Sequence, residues 1–379
     1  MTKFRNFENL ISSDICDEKK TNKIAVILPS YSPMKELVLT KIKSGEVITF
    51  YPKKMLPNRE VFNLSTNKLN SEFISSILIR GRLYNYTLPI ISTRNFEFIV
   101  VVNLTDLILV KIANLFSRKK IILWYGEKSE FYSAPIKTNF KRFVLRLADG
   151  YACYSQGTKN LINELTRKRP AAIIKQRIGL TPELSSQRGS FSKNYIEIII
   201  ISQMIERKDL GTVLNWVTCL KHLKRRYKVT VVGGGKMLKD WKKSYEGIFC
   251  ENIQVRFVGA KPHQDALRML KQSHFCLFHT KSDIWGYVTN EALAFGVPVI
   301  ISNEAASSEL IVDTSNGYRY DHFDKTQFNN IFERIDSLSA GDFLKMSEKC
   351  VEMYEEFECD QKVSDFDILF EKVRNDDVF

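Results

Sequence analysis

The 379-residue chain has no apolar run of the roughly 18–20 residues that a membrane-spanning helix needs. The nearest approach, 98–116, is interrupted by Asn103, Thr105, Asp106 and Lys111, so no transmembrane segment is expected. The first residues, Met1-Thr2-Lys3-Phe4-Arg5-Asn6, bring charge without an apolar stretch behind it, and no signal peptide is expected. The seven cysteines (Cys16, Cys153, Cys219, Cys250, Cys276, Cys350 and Cys359) form no CxxC pair. That scatter predicts reduced, mostly buried thiols rather than bridges or zinc ligands, and a cytoplasmic protein. There is no internal repeat at a 20–50 residue period and no low-complexity tract. RNP-like, helix-turn-helix and zinc-finger signatures are missing too, so nucleic acid is not an expected partner.

What is present is the composition of a globular protein, with 44% hydrophobic and 26% charged residues. The length suits two domains. Charge is unevenly placed. Lys and Arg outnumber Asp and Glu about two to one over residues 1–190, whereas residues 191–379 are slightly acidic, so the whole net charge of +13 belongs to the first half. A basic half beside a near-neutral half implies that one domain faces something anionic, such as a membrane surface, a phosphate-bearing lipid or nucleic acid.

Short apolar, β-branched runs alternate with helix-spaced segments. Strands are expected at 24–29, 47–51, 96–102, 120–125 and 151–154, with helices at 105–115, 139–147 and 155–165. The polar run 180–194 reads as a linker. A second series then opens with strands at 195–201, 227–232, 253–258, 274–278 and 297–301 and a helix at 210–223. Alternation of this kind implies βαβ units and parallel sheets. The expected organisation is α/β, with Rossmann-like doubly wound domains at 1–188 and 189–345 facing a cleft. Helices over 346–379 are expected to pack back on the first domain.

Chemistry concentrates in 283–300, Asp-Ile-Trp-Gly-Tyr-Val-Thr-Asn-Glu-Ala-Leu-Ala-Phe-Gly-Val-Pro-Val-Ile. Asp283 lies beyond the carboxyl end of a predicted strand, where parallel sheets bind ligands. Gly286 opens the following helix and Glu291 falls in its early turns. The amides of Trp285, Gly286 and Tyr287 would then face a phosphate. Each carboxylate can accept from vicinal hydroxyls of a sugar or ribose. Two acids eight residues apart are also what a solvated helix start would carry. The register with Trp285-Gly286, Asn290-Glu291-Ala292, Ala294 and Gly296-Val297-Pro298 argues against that plainer alternative. Gln203, Lys208 and Asp209 follow the strand 195–201, Gly233-Gly234-Gly235 follows the next, and Phe257-Val258-Gly259 ends a third.

Taken together these segments resemble the nucleotide-sugar site of retaining GT-B glycosyltransferases of family 4, glycosyl transferases group 1. Ser302-Asn303, Glu309 and Asn316-Gly317-Tyr318 fit the same pattern. The resemblance implies that Glu291 holds the nucleotide ribose and Asp283 the donor sugar, where most members carry Glu. Lys208 and Gln203 would neutralise the diphosphate, although the family usually places a basic residue at the position of Gln203 and a glycine at that of Asp209. Gly259 would frame the base, and Ile284, Trp285, Gly286 and Tyr287 would line the donor. The implied catalytic residues are Lys208, Asp283 and Glu291. The implied co-substrate is a nucleotide-diphospho-sugar, with no metal. The expected acceptor is a glycan or a lipid; the basic first half fits a polyprenyl-phosphate-linked lipid, which points to bacterial surface polysaccharide or lipopolysaccharide synthesis.

The first half departs from the pattern. Pro29-Ser30-Tyr31-Ser32-Pro33 stands where a glycine-rich loop is usual. All five histidines (His222, His263, His274, His279 and His322) lie in the second half, so the family's N-terminal-domain histidine has no counterpart. Segment 121–127 resembles a strand-end loop of a subgroup, making Tyr125 and Glu127 acceptor-side candidates. An inverting GT-B enzyme would need a base such as Asp106 or Glu127. A non-catalytic, basic nucleic-acid-binding protein is the other alternative. His279 reads as structural, and Asp365-Phe366-Asp367 as solvated charge on a helix, since i and i+2 do not share a face. The basic, partly amphipathic segment 137–149 suits either an ordinary domain helix or peripheral contact with an anionic membrane.

Overall fold

A computed structural model describes residues 22–29, 32–52, 69–79, 82–85, 95–115, 117, 119–126, 135–166, 169–184, 191, 195–247, 249–250, 252–359 and 363–376. In the first half the strands are β1 (Lys23–Ile27), β2 (Glu46–Pro52), β3 (Asn70–Ile74), β4 (Ser76–Ile79), β5 (Arg82–Asn85), β6 (Phe98–Val101), β7 (Lys120–Tyr125), β8 (Gly150–Cys153) and β9 (Ala171–Ile173). Between them run α1 (Pro33–Leu39), α2 (Leu104–Ala113), α3 (Pro135–Leu145) and α4 (Gln156–Thr166). Seven strands form a parallel sheet in the order β3-β2-β1-β6-β7-β8-β9, and β4 and β5 pair as a separate antiparallel hairpin. Ile24 to Ile27 and Phe98 to Val101 have no exposed surface, as a sheet covered on both faces requires.

The second half repeats the plan. Its strands are β10 (Tyr195–Ile201), β11 (Arg226–Val232), β12 (Phe249–Cys250), β13 (Ile253–Gly259), β14 (Phe275–Phe278), β15 (Val299–Ser302) and β16 (Gly317–Tyr320). Its helices are α5 (Leu210–Thr218), α6 (Leu238–Tyr245), α7 (His263–Gln272), α8 (Val288–Ala294), α9 (Lys325–Ser337), α10 (Ala340–Glu358) and α11 (Asp365–Asn375). The sheet order is β12-β13-β11-β10-β14-β15-β16, parallel except for the short β12.

Differences from the sequence expectations have local causes. The edge strands β3, β9 and β16 carry little signal: β3 buries only Ile74, and β9 and β16, though mostly buried, run for only three and four residues. The helix expected over 210–223 stops at Thr218, whose hydroxyl donates to the Leu214 carbonyl at 3.0 Å, and His222 adopts φ 61°. Leu220 and Leu223 keep helical spacing because they pack on the second core from the loop. Within the expected linker, Leu180 exchanges hydrogen bonds with the Tyr354 hydroxyl, and the Glu183 amide donates to the Ala294 carbonyl at 2.8 Å.

Asp365 and Asp367 are not solvated; they are 9% and 6% exposed. Asp367 accepts from the Lys43 and Ser44 amides, each at 3.0 Å, and from Ser364 Oγ at 2.8 Å. Asp365 accepts from the Lys175 amide at 3.0 Å and pairs with Arg177. The two carboxylates act on different loops, so they need not share a helix face. With Arg374 bridging to Glu97 and Phe370 stacked on Phe98 at 4.3 Å, they fasten α11 to the first sheet.

Candidate functional site

Strands β10 and β14 are neighbours, while the chain leaves β10 first for β11 on its other side. The carboxyl ends of these strands therefore open at a switch point of the sheet, where loops diverge and leave a crevice. Loops after β10, β11, β13 and β14 line a cleft of about 780 Å³. Ser32, Lys35 and Tyr154 close it from the first half.

Two glycines let the walls form. Gly286 has φ 97°, and a Cβ there would lie 2.2 Å from the Phe278 ring. Gly233 has φ 144°, and a Cβ would lie 1.8 Å from the Ser202 carbonyl oxygen.

Lys208 ends a single 3₁₀ turn, Glu206–Lys208, and is 8% exposed. Its ammonium pairs with Asp283 Oδ2 and lies 4.7 Å from the centre of the Phe278 ring. Arg207 Nη1 is 3.8 Å from the same oxygen and also donates to the Ser282 carbonyl. Burial pulls the Lys208 pKa down while Asp283 pulls it back up. The pair is therefore a buried cation held beside a carboxylate, with a second and more exposed cation in reserve. Sequence reasoning assigned Lys208 and Asp283 to different parts of a donor; here each is also the other's partner.

Glu291 is 7% exposed, and its Oε1 lies 2.7 Å from His263 Nε2. That hydrogen bond raises the His263 pKa, against the opposing effect of burial. His263 stands at the start of α7 and lines the cleft, a role the sequence did not reveal. Lys35 was missed for the same reason: a lone cation on a helix carries no motif. Its ammonium sits 5.2 Å from the centre of the Trp124 ring.

The other expected site residues divide. Gln203, Ile284, Trp285, Gly286 and Tyr287 all line the cleft. The Trp285 indole turns inward, donating to Asn290 Oδ1 at 2.8 Å and stacking on Phe357. Its amide is 3.4 Å from Asp283 Oδ1, so this amide turns back on the carboxylate rather than out toward a phosphate. The Tyr287 hydroxyl donates to Gln176 Oε1 at 3.0 Å, tying the loop before α8 to the first half. Gly259 stands just behind the wall; its carbonyl accepts from the Gly233 amide and its successor Ala260 lines the cleft. Tyr125 is 5% exposed, belongs to the core under the first sheet and meets Lys141 rather than the cleft. Glu127 lies outside the described residues. Asp106, the alternative base, is fully buried, and it engages Asn103 at the start of α2 through both its amide and its carboxylate.

His279 is fully buried at the end of β14, where Nδ1 lies 2.7 Å from the Tyr320 hydroxyl. Burial, and then His322 and Lys281, pull its pKa down to about 3, so the ring is neutral.

Residues 183–356 match the family model described as glycosyl transferases group 1. An uncharacterized glycosyltransferase of Methanocaldococcus jannaschii is 20% identical over 61% of this chain and 62% of its own length. The amylovoran biosynthesis glycosyltransferase AmsK of Erwinia amylovora is 25% identical over 32% of this chain and 31% of its own. The chain thus spans less than two thirds of either curated relative. Anabaena HepE, solved in complex with UDP, superposes with a TM-score of 0.68 at 13% identity, over 95% of this chain and 100% of that one. The same Anabaena protein has been solved with UDP-glucose, at a TM-score of 0.65 and 14% identity. The architecture is the two-domain GT-B fold.

Proposed function

We propose that the protein is a glycosyltransferase of family 4 type that moves a sugar, with retention, from a uridine-diphospho-sugar to a glycan or lipid-linked acceptor. The observation that carries this reading is the convergence of Lys208, Arg207, Asp283 and Glu291 in one interdomain cleft. The match to the glycosyl transferases group 1 model over that half and the UDP complex of the Anabaena protein support it.

In the reaction the bond from the anomeric carbon to the β-phosphate oxygen breaks. A bond to the acceptor oxygen forms on the same face, and the acceptor proton leaves with the diphosphate. Negative charge develops on that leaving group. Lys208 and Arg207 stabilise it, with Gln203 donating a neutral hydrogen bond. Preorganised charge of this kind in a dry site is usually the largest catalytic contribution. Glu291, held by His263, accepts from the ribose hydroxyls, and Asp283 accepts from the sugar. Fixing donor and acceptor in one cleft lowers the entropic part of the barrier. A panel of nucleotide-sugars offered with mixed lipid and glycan acceptors tests the reading. Transfer of a sugar with an anomeric configuration matching the donor supports it; transfer with inversion, or none with any uridine donor, refutes it.

A lipid-linked acceptor, as in surface polysaccharide or lipopolysaccharide assembly, has its own support. Ile112, Leu115, Phe140 and Phe143 are 57%, 68%, 64% and 62% exposed on or beside the adjacent helices α2 and α3. Exposed Arg146, in the turn after α3, and half-buried Lys111 and Arg142 lie on the same segments, whereas Lys141 turns in against Tyr125. Apolar side chains interleaved with cations suit the interface of an anionic bilayer. Among the described residues no helix is long and apolar enough to cross a membrane.

A further inference from the structure

Beside the cleft, but outside its lining, three residues from three separate loops meet. Asp209 follows β10, His279 follows β14, and His322 follows β16. One ligand atom of each lies within 4.8 Å of the other two. Asp209 Oδ2 faces both rings, 3.3 Å from His322 Nε2 and 4.0 Å from His279 Nε2. We propose that Asp209, His279 and His322 form a binding site for a divalent transition-metal ion of the zinc class, joining the loops that carry the donor-binding residues.

The side chains are arranged as such a site requires. His279 is fully buried, yet its Nε2 has no hydrogen-bond partner. Its Nδ1 is engaged by the Tyr320 hydroxyl, which leaves Nε2 as the atom presented to the cluster. An outer partner on the far ring nitrogen is the usual way a metal-binding histidine is oriented. His322 stacks on His279 with ring centres 4.5 Å apart, and it is the Nε2 of each ring that lies near Asp209 Oδ2. Asp209 precedes α5 in the N-cap position, where an aspartate normally accepts from the first helical amides. Here it makes no such bond, adopts φ 44°, and turns its carboxylate to the histidines. Its other oxygen, Oδ1, is 3.4 Å from Lys281, so the lysine fixes the carboxylate and leaves Oδ2 for the ion. Two imidazoles and one carboxylate are a zinc-type donor set, and the partial exposure of Asp209 leaves room for water as the remaining ligand.

The ion would act at a distance from the diphosphate. The Arg207 carbonyl already accepts from the Lys281 amide and the Thr280 hydroxyl, so the loops 203–209 and 279–283 move together. A metal bridging Asp209 to His279 and His322 fixes the separation of Lys208 and Asp283 on those loops. The site is independent of the sugar or acceptor that the cleft takes.

The test uses untagged, chelator-treated full-length protein dialysed against micromolar Zn²⁺ or Co²⁺. One equivalent of bound metal is expected, with Co²⁺ giving visible bands of low coordination number and no thiolate charge-transfer band. Zn²⁺ is expected to raise the melting temperature of the wild type. Asp209→Asn, partly exposed and conservative, is expected to lose the bound equivalent and the shift, as is His322→Gln. Substoichiometric metal, a thiolate signature from Cys219 or Cys359, or unchanged binding in Asp209→Asn would each overturn the proposal.

Discussion

Lys208→Met keeps the stem of the side chain and removes the ammonium, and it acts on two quantities that the structure allows to be separated. The first is stability. Breaking a fully buried ion pair costs about 3–5 kcal/mol because a charge is left stranded. Asp283 is not stranded to that degree: Arg207 stays 3.8 Å away and the Trp285 amide 3.4 Å. The expected loss is therefore about 1.5–3 kcal/mol, that of one hydrogen bond to a charged group. The second quantity is affinity for UDP. A lost hydrogen bond to the diphosphate costs about 1.5–3 kcal/mol, or roughly 10- to 150-fold in Kd. Asp283→Asn provides the opposite arm. It removes the negative charge that competes with the diphosphate for Lys208, so UDP is expected to bind as well as to wild type or better. UDP-sugar, whose hydroxyls then meet one neutral amide oxygen in place of a carboxylate, is expected to bind worse relative to UDP. Urea denaturation reads the first quantity, and calorimetric titration with UDP and UDP-glucose reads the second. If Lys208→Met lowered the urea midpoint yet left UDP affinity within twofold of wild type, Lys208 would be only the structural partner of Asp283 and the electrostatic mechanism would fail.

Other expectations follow from the same geometry. Glu291→Ala is expected to abolish the rise in melting temperature that saturating UDP gives the wild type, about 2.7 kcal/mol at 100 times Kd; a retained rise would remove Glu291 from the ribose site. The raised pKa of His263 means that its bond to Glu291 contributes stability fully below the unfolded value of 6.5, and that this is lost as pH rises through the folded value. The gap in urea midpoint between wild type and His263→Gln is therefore expected to be larger near pH 6 than near pH 9; a gap independent of pH would contradict the bond. Asp367→Ala strands the Lys43 and Ser44 amides and is expected to cost about 3 kcal/mol, read as a lower urea midpoint with unchanged slope. Phe140→Ser with Phe143→Ser is expected to lower co-sedimentation with anionic vesicles at least tenfold while leaving UDP affinity intact; unchanged sedimentation would refute the membrane face.

The sequence by itself determined the central strands of both sheets and the order of the candidate site segments along the chain. Runs such as Ile24-Ala25-Val26-Ile27 and Ile198-Ile199-Ile200-Ile201 hold only β-branched and apolar residues, so they can stand only as strands covered on both faces. Asp283, Gly286 and Glu291 are readable as a group because they fall on one continuous loop and helix. Contacts between separate loops left no such trace. His263 reaches Glu291 from 28 positions away, Lys208 reaches Asp283 from 75, and Asp367 reaches Lys43 from 324. Tyr125 shows the reverse error. It is the last residue of the apolar strand β7, and the alternation of side chains across a sheet turned it into the core rather than the cleft. In the sequence Asp209 stands only as a departure from the family's glycine, His279 reads as structural, and His322 belongs to no motif. The parallel order of β10, β14, β15 and β16 carries their loops to the same carboxyl end of the sheet, and only that topology, which sums interactions along the whole chain, decided that they meet.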